Sequence, residues 1–183
     1  GNDPQLLKAA MRRVVFRTNA AKDEETYLTM IQALRADVDA TTGPTRAVLQ
    51  SVLGEVYWQY FQQNRYKFYD RTATAPAEAV SPGDTAGTID PRTWDARRLQ
   101  TTVNELYTAS VKEAARLQQI PVGTYEVVIG KGNEAGRALR PTLFDVLAHR
   151  AIDFFRQEQA EVIKPVQAFT VNDPTYLTGP ETF

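Results

Sequence analysis

Apolar residues recur along most of this chain at steps of three and four, the spacing that gathers them on one side of an α-helix. Asp3 caps and Pro4 opens a first such segment, in which Leu6, Leu7, Ala10, Met11, Val14 and Val15 predict a helix to about Thr18. Asp23, Glu24 and Glu25 supply the acid favoured at a helix start, and Tyr27, Met30, Ile31, Leu34 and Val38 form the stripe of a second helix ending near Ala40. After the break at Thr42-Gly43-Pro44, Val48, Leu49, Val52, Leu53, Val56, Tyr57, Tyr60 and Phe61 advance in helical steps. A fourth helix follows Asp90-Pro91 and Thr93-Trp94-Asp95, with Leu99, Val103, Leu106, Tyr107, Val111, Ala114 and Leu117 as one continuous stripe that stops before Pro121. A fifth opens at Arg140-Pro141-Thr142. There Leu143, Phe144, Val146, Leu147, Ala148, Ala151, Ile152, Phe154 and Phe155 cover well over half the circumference, which predicts a central position.

The segments between these helices have other patterns. Ala73 to Asp90 is rich in Ala, Thr, Pro and Gly without periodicity and predicts a long, mobile surface loop over 72–90. Thr124 to Ile129 is a short β-like run with no obvious partner strand, expected to be an extended connector. Beyond Ala160, Pro165, Pro174 and Pro180 exclude a continuous helix, while Val166, Phe169, Tyr176 and Leu177 are too apolar for a free linker. The expected architecture is all-α: an antiparallel bundle or short array of about five helices over 1–162, followed by an extended strap, 163–183, that packs back over the helices and leads to a following domain.

Gly54 to Thr72 holds Tyr57, Trp58, Tyr60, Phe61, Tyr66, Phe68 and Tyr69. Aromatic density of this kind marks either the packing centre of a domain or the surface by which a partner is held. Periodicity places Tyr57, Tyr60 and Phe61 on the core stripe, with most of Tyr66 to Tyr69 expected to follow. Trp58, Tyr66, Tyr69 and Trp94 are the candidates for contact with a partner, and sugar stacking is a further option for the two tryptophans. Arg65, Lys67 and Arg71 alternate with the later aromatics as they would on single-stranded nucleic acid. The same residues could equally cover a core edge with their charged heads in water.

Composition narrows the chemistry. A net charge of -1 over 183 residues gives no general attraction to nucleic acid or anionic membrane. The absence of cysteine excludes disulfides, thiolate catalysis, iron-sulfur clusters and the usual structural zinc sites within this chain. No apolar run approaches the ~20 residues of a membrane span, so direct membrane insertion by this segment is not expected. The opening GNDPQLLKAA lacks a signal-peptide layout, and the Gly1 start and TGPETF ending suggest a piece of a longer polypeptide.

Two constellations invite a chemical reading. His149, the only histidine, has Asp145 and Asp153 one turn to either side. A metal would need further convergent ligands and a catalytic dyad would need a nucleophile, so a histidine held by a carboxylate on the polar face of a buried helix is the simpler expectation. Gly130 to Gly136 lies between an extended run and a helix, as phosphate-binding loops do. It lacks the Lys-Ser or Lys-Thr pair, and Pro141 biases Arg140 away from helix, so a flexible connector is expected. No catalytic residue, cofactor or metal is therefore predicted.

Four segments in order resemble the helical N-terminal region that precedes the macroglobulin domains of large bacterial alpha-2-macroglobulin family proteins. They are LGEVYWQYFQQNRYKFYDRT at Leu53 to Thr72, DPRTWDARRL at Asp90 to Leu99, LRPTLFDVLAHRAIDFF at Leu139 to Phe155 and VNDPTYL at Val171 to Leu177. The resemblance implies an extracytoplasmic, envelope-associated protein of the protease-trap type, in the periplasm or at the cell surface, whose thioester lies in a later domain. A chain without cysteine would then serve as a non-catalytic module that positions or docks, with later domains of the same polypeptide and envelope proteins as partners. Two other classes compete. Leu53-Gly54 followed by Tyr57 resembles part of a tetratricopeptide consensus and would suit a peptide-binding adaptor, although no repeat near ~34 residues follows. An enzyme or small-ligand protein built around His149 is the third.

Overall fold

Acidic residues at its first turn and a one-sided apolar stripe produce α1 (Glu24–Asp39), which buries Tyr27, Leu28, Met30, Ile31, Leu34 and Val38. The computed structural model describes residues 7–9, 12, 24–68, 90–125 and 134–157. The expected first helix is represented there only by Leu7 to Ala9 and Arg12, with Leu7 fully buried. Its remainder, the loop from 72 to 89 and the strap lie outside the described residues. Thr41 ends α1 by donating its hydroxyl to the Asp37 carbonyl at 2.7 Å. Gly43 then turns the chain with φ of +59°, a left-handed conformation that side chains with a Cβ rarely adopt.

The helix that follows, α2 (Gly43–Gln63), is the centre of the domain. It buries residues all around its axis, among them Thr45, Leu49, Leu53, Tyr57, Trp58 and Phe61, and it packs against α1 and two later helices. Glu24 at the start of α1 meets Tyr60 near the end of α2, so the two form an antiparallel hairpin. Asn64 closes the C-terminus by donating its side-chain amide to the Tyr60 carbonyl at 3.0 Å. One further helical turn, 65–68, folds Phe68 against Tyr60 and Phe61 with ring centroids 5.8 and 5.3 Å away.

Asp90 caps a 3₁₀ turn, Pro91–Thr93, and Asp95 caps α3 (Ala96–Ser110) by accepting from the Arg98 amide at 2.8 Å. Helix α3 crosses α2 at Gly54, where a Cβ would stand 3.3 Å from the Tyr107 ring and 3.6 Å from Leu106 Cβ. The continuous helix expected up to Leu117 is interrupted. The buried Ser110 hydroxyl donates at 2.7 Å to the Tyr107 carbonyl, the one that the Val111 amide would meet in an unbroken helix. Val111 and Lys112 bond instead to Thr108 and Ala109, and a separate short helix, α4 (Ala114–Leu117), follows.

Thr124 and Tyr125, expected in an extended connector, close a 3₁₀ turn, Val122–Tyr125; residues 126–129 lie outside the described residues. Glu134 to Gly136, expected in a flexible connector, belong to α5 (Glu134–Leu139), and 130–133 again lie outside. The chain then passes Pro121 in an isolated antiparallel bridge with Thr142, where Val122 donates to the Pro141 carbonyl and Leu143 to that of Ile120. This bridge sets the start of α6 (Leu143–Phe155). The described residues contain no strand and form an all-α array.

The expectation that α6 is central does not hold. Leu143, Leu147, Ala151 and Phe154 form one buried stripe, while Ile152 and Phe155 keep 53% and 47% of their surface exposed. A broad apolar arc is necessary for a central helix but does not create neighbours to cover it. Helix α2 already occupies the centre, and α6 lies against it and α3 from one side.

Candidate functional site

Of the four candidate contact residues, two are structural. Trp58 is buried, stacked on Phe61 and edge-on to Phe154, each at 5.1 Å between centroids. Its indole N–H donates to Gln157 Oε1 at 2.8 Å, tying the end of α6 to α2. Trp94 is buried against Tyr57 at 5.4 Å, with the Arg98 guanidinium carbon 5.1 Å from its ring centre. Neither indole offers a partner more than a sliver of surface, which corrects the expectation that they form a contact surface. Tyr66 is 65% exposed, and Tyr69 lies outside the described residues. Phe68 is buried, and Lys67 pairs with Glu24 at 2.9 Å while its Nζ stands 6.0 Å from the Tyr66 ring centre.

Burial of this segment brings polar atoms inside, and each has an answer. The Tyr57 hydroxyl accepts from Arg35 at 3.1 Å, and burial pushes its phenol upward. Tyr60 donates to Glu24 Oε1 at 2.6 Å and Lys67 to Glu24 Oε2 at 2.9 Å. The Tyr60 hydrogen bond, reinforced by Lys67, holds the Glu24 carboxyl below its ordinary range. On the other flank Arg150 of α6 donates Nε to Ser51 Oγ at 2.9 Å and Nη2 to Glu55 Oε2, while Gln59 donates to Glu55 Oε1 at 3.3 Å. Contacts with α2 advance together, from Arg150 on Ser51 and Glu55 to Phe154 and Gln157 on Trp58, so α6 runs in the same direction as α2. Tyr107 stacks on Phe154 at 4.8 Å, and burial pushes its phenol up to about 12. No sequence signal singled out Arg150; its partners lie about a hundred residues away.

His149 is held at both ring nitrogens. Arg140 Nη2 lies 2.7 Å from Nε2 and Asp153 Oδ2 lies 2.9 Å from Nδ1. A guanidinium has only donors, so Nε2 accepts and Nδ1 carries the proton given to Asp153. Asp145 is turned elsewhere. It accepts from the Thr142 amide at 2.9 Å and hydroxyl at 2.6 Å, while its own amide donates back to Thr142 Oγ1 at 3.3 Å, a capping box at the start of α6. The three groups that share a helix face in sequence are thus divided between a cap and a surface hydrogen-bond chain. Among the described residues no three His, Cys, Asp or Glu side chains gather where they could hold a metal ion. No described helix is long and apolar enough to cross a membrane.

The outer side of α6 also carries apolar residues. Phe144, Ala148, Ile152 and Phe155 follow the buried stripe of α6 one residue out of step, at i, i+4, i+8 and i+11. They are half-buried or exposed. This second stripe, flanked by His149 and Asp153, is the best-formed candidate contact surface on the described residues. No protein-family model, curated protein or solved structure matches the chain.

Proposed function

We propose that this chain is a non-catalytic helical module that positions or docks the rest of a cell-envelope protein of the alpha-2-macroglobulin type. The observation that carries the reading is the inward turn of the densest aromatic segment. Tyr57, Trp58, Tyr60, Phe61 and Phe68 are all buried, so their chemistry is spent on holding three helices together. A chain without cysteine cannot itself hold a thioester, which supports a non-catalytic role within such a protein. The family assignment itself rests on the four segment resemblances, and the extracytoplasmic location rests on the family.

The tetratricopeptide-like reading gains no support, because no second copy of the Leu53-Gly54-x2-Tyr57 pattern follows in the sequence, and burial of these residues between helices suits either reading. An antibody against this chain should recover, from the native cells, a polypeptide much larger than 20.5 kDa in the envelope fraction. Peptide mass spectrometry of that product should show macroglobulin domains following the helical module. A soluble cytoplasmic product of about the present size would end the proposal.

A further inference from the structure

His149 and Arg140 make a contact that only one protonation state of the imidazole permits. Arg140 Nη2 lies 2.7 Å from Nε2, and because a guanidinium carries only donors, the contact needs a lone pair on that nitrogen. A second proton on the ring would occupy the lone pair and leave two cations facing each other. The opposite nitrogen has no such conflict. Nδ1 donates to Asp153 Oδ2 at 2.9 Å in either state, and the added charge strengthens that bond into an ion pair. The ring therefore stays on Asp153 and the repulsion falls on Arg140.

Arg140 directly follows α5, a helix of six residues. Isolated helices shorter than about 12 residues are marginal in water, and α5 has little packing to support it. Its side chains at Glu134, Ala135, Ala138 and Leu139 are exposed, Leu139 by 80%. Among the described residues His149 is the polar partner of the Arg140 guanidinium. On the other side of Arg140 the chain is pinned: the Pro141 carbonyl accepts from Val122 at 2.9 Å, and Leu143 donates to Ile120 at 2.8 Å. Movement on loss of the Arg140 contact is thus directed into α5 and not into α6.

Helix α6 also packs on α2, α3, α4 and the 3₁₀ turn 122–125, whose titratable groups near it are engaged elsewhere. Glu55 is taken by Arg150 and Gln59, Arg116 by Glu113, and Tyr107 and Tyr125 are buried. On α6 itself Asp145 is committed to the Thr142 cap. The charged groups that face the imidazole, among the described residues, are Arg140 and Asp153.

We propose that His149 is a pH-sensitive latch, which when neutral ties Arg140 and the end of α5 to α6 and when protonated releases them while keeping Asp153. The device is local, since α6 keeps its buried stripe in both states, and it stands independently of the envelope assignment. Nuclear magnetic resonance on the 183-residue chain tests it across the range in which imidazoles change charge, about pH 7.5 to 5.5. At the upper end the His149 nitrogen shifts should show the proton on Nδ1. On acidification the helical Cα shifts of Ala135, Ala138 and Leu139 should fall as the ratio of formed to frayed α5 drops about fivefold, within the factor of about 2 to 12 that one hydrogen bond contributes. Those of Val146 and Leu147 should stay constant. His149→Gln keeps an acceptor that cannot titrate, so its α5 shifts should remain helical at both ends of the range. His149→Lys is cationic throughout and should show the frayed values at both, with circular dichroism checking that each variant is folded. Wild-type α5 shifts that ignore pH, the same loss in His149→Gln, or a proton on Nε2 at the upper end would each overturn the proposal.

Discussion

Individual side chains in this domain show both the gain and the cost of burying polar atoms. Glu24 sits where two donors meet, Tyr60 and Lys67, and its carboxyl is held below its ordinary range chiefly by the tyrosine hydroxyl. A lowered folded-state pKa contributes stability that is present above the unfolded value and is lost as pH falls through the folded one. Melting temperature should accordingly fall as pH drops below about 4.5, the ordinary glutamate value, and Glu24→Gln should flatten part of that fall while lowering stability at neutral pH. An identical acid profile in the variant would show that this carboxylate is not coupled to folding. Gln100 is the opposite case: its Oε1 is buried without a hydrogen-bond partner, as is Asn104 Oδ1 one turn on. An orphaned buried acceptor costs about 1 to 3 kcal/mol, so Gln100→Met, similar in length and apolar, should leave stability unchanged or raise it by about 1 kcal/mol in urea unfolding. A clear loss would mean that the amide makes a bond in solution.

Helix α6 concentrates the contrast between a packed and an open face. Leu147 is on the inner stripe and buried, so Leu147→Ala should cost about 2 to 5 kcal/mol. His149, two residues on, is 45% exposed and joins Arg140 and Asp153 at the surface. His149→Ala should change stability by less than about 1 kcal/mol, as surface substitutions away from the core do. A larger loss at His149 than at Leu147, measured by chemical denaturation, would reverse the assignment of the two faces. The capping box of Thr142 and Asp145 marks the start of α6, and the turn of Val111 and Lys112 onto the Thr108 and Ala109 carbonyls marks the end of α3.

Over the whole molecule, α2 is the common neighbour: α1, α3 and α6 each pack on it. A domain whose helices share one central partner should unfold as a unit. Leu49, fully buried on α2, is the residue to test. Leu49→Ala should lower the melting midpoint of helical circular dichroism and of tryptophan fluorescence together, since Trp58 lies on α2 and Trp94 against it. Separate midpoints for the two signals would show that α1 or α6 comes away independently.

Helix existence and core stripe were legible in the chain itself because both follow from local periodicity: Tyr27 to Val38, Val48 to Phe61 and Leu99 to Tyr107 behave as their spacing dictates. The break at Ser110 was hidden because the apolar spacing runs through it unchanged, from Leu106 and Tyr107 to Val111 and Ala114. Which helix is central, whether Trp58 and Trp94 face inward, and where Arg150 finds Glu55 were decided only by the tertiary structure. Each depends on a neighbour distant in sequence, and an apolar or charged side chain carries no information about which neighbour will arrive. His149 shows the same division: helical spacing put two carboxylates beside it, but folding assigned one to a cap, one to the imidazole, and brought in Arg140 on the other ring nitrogen.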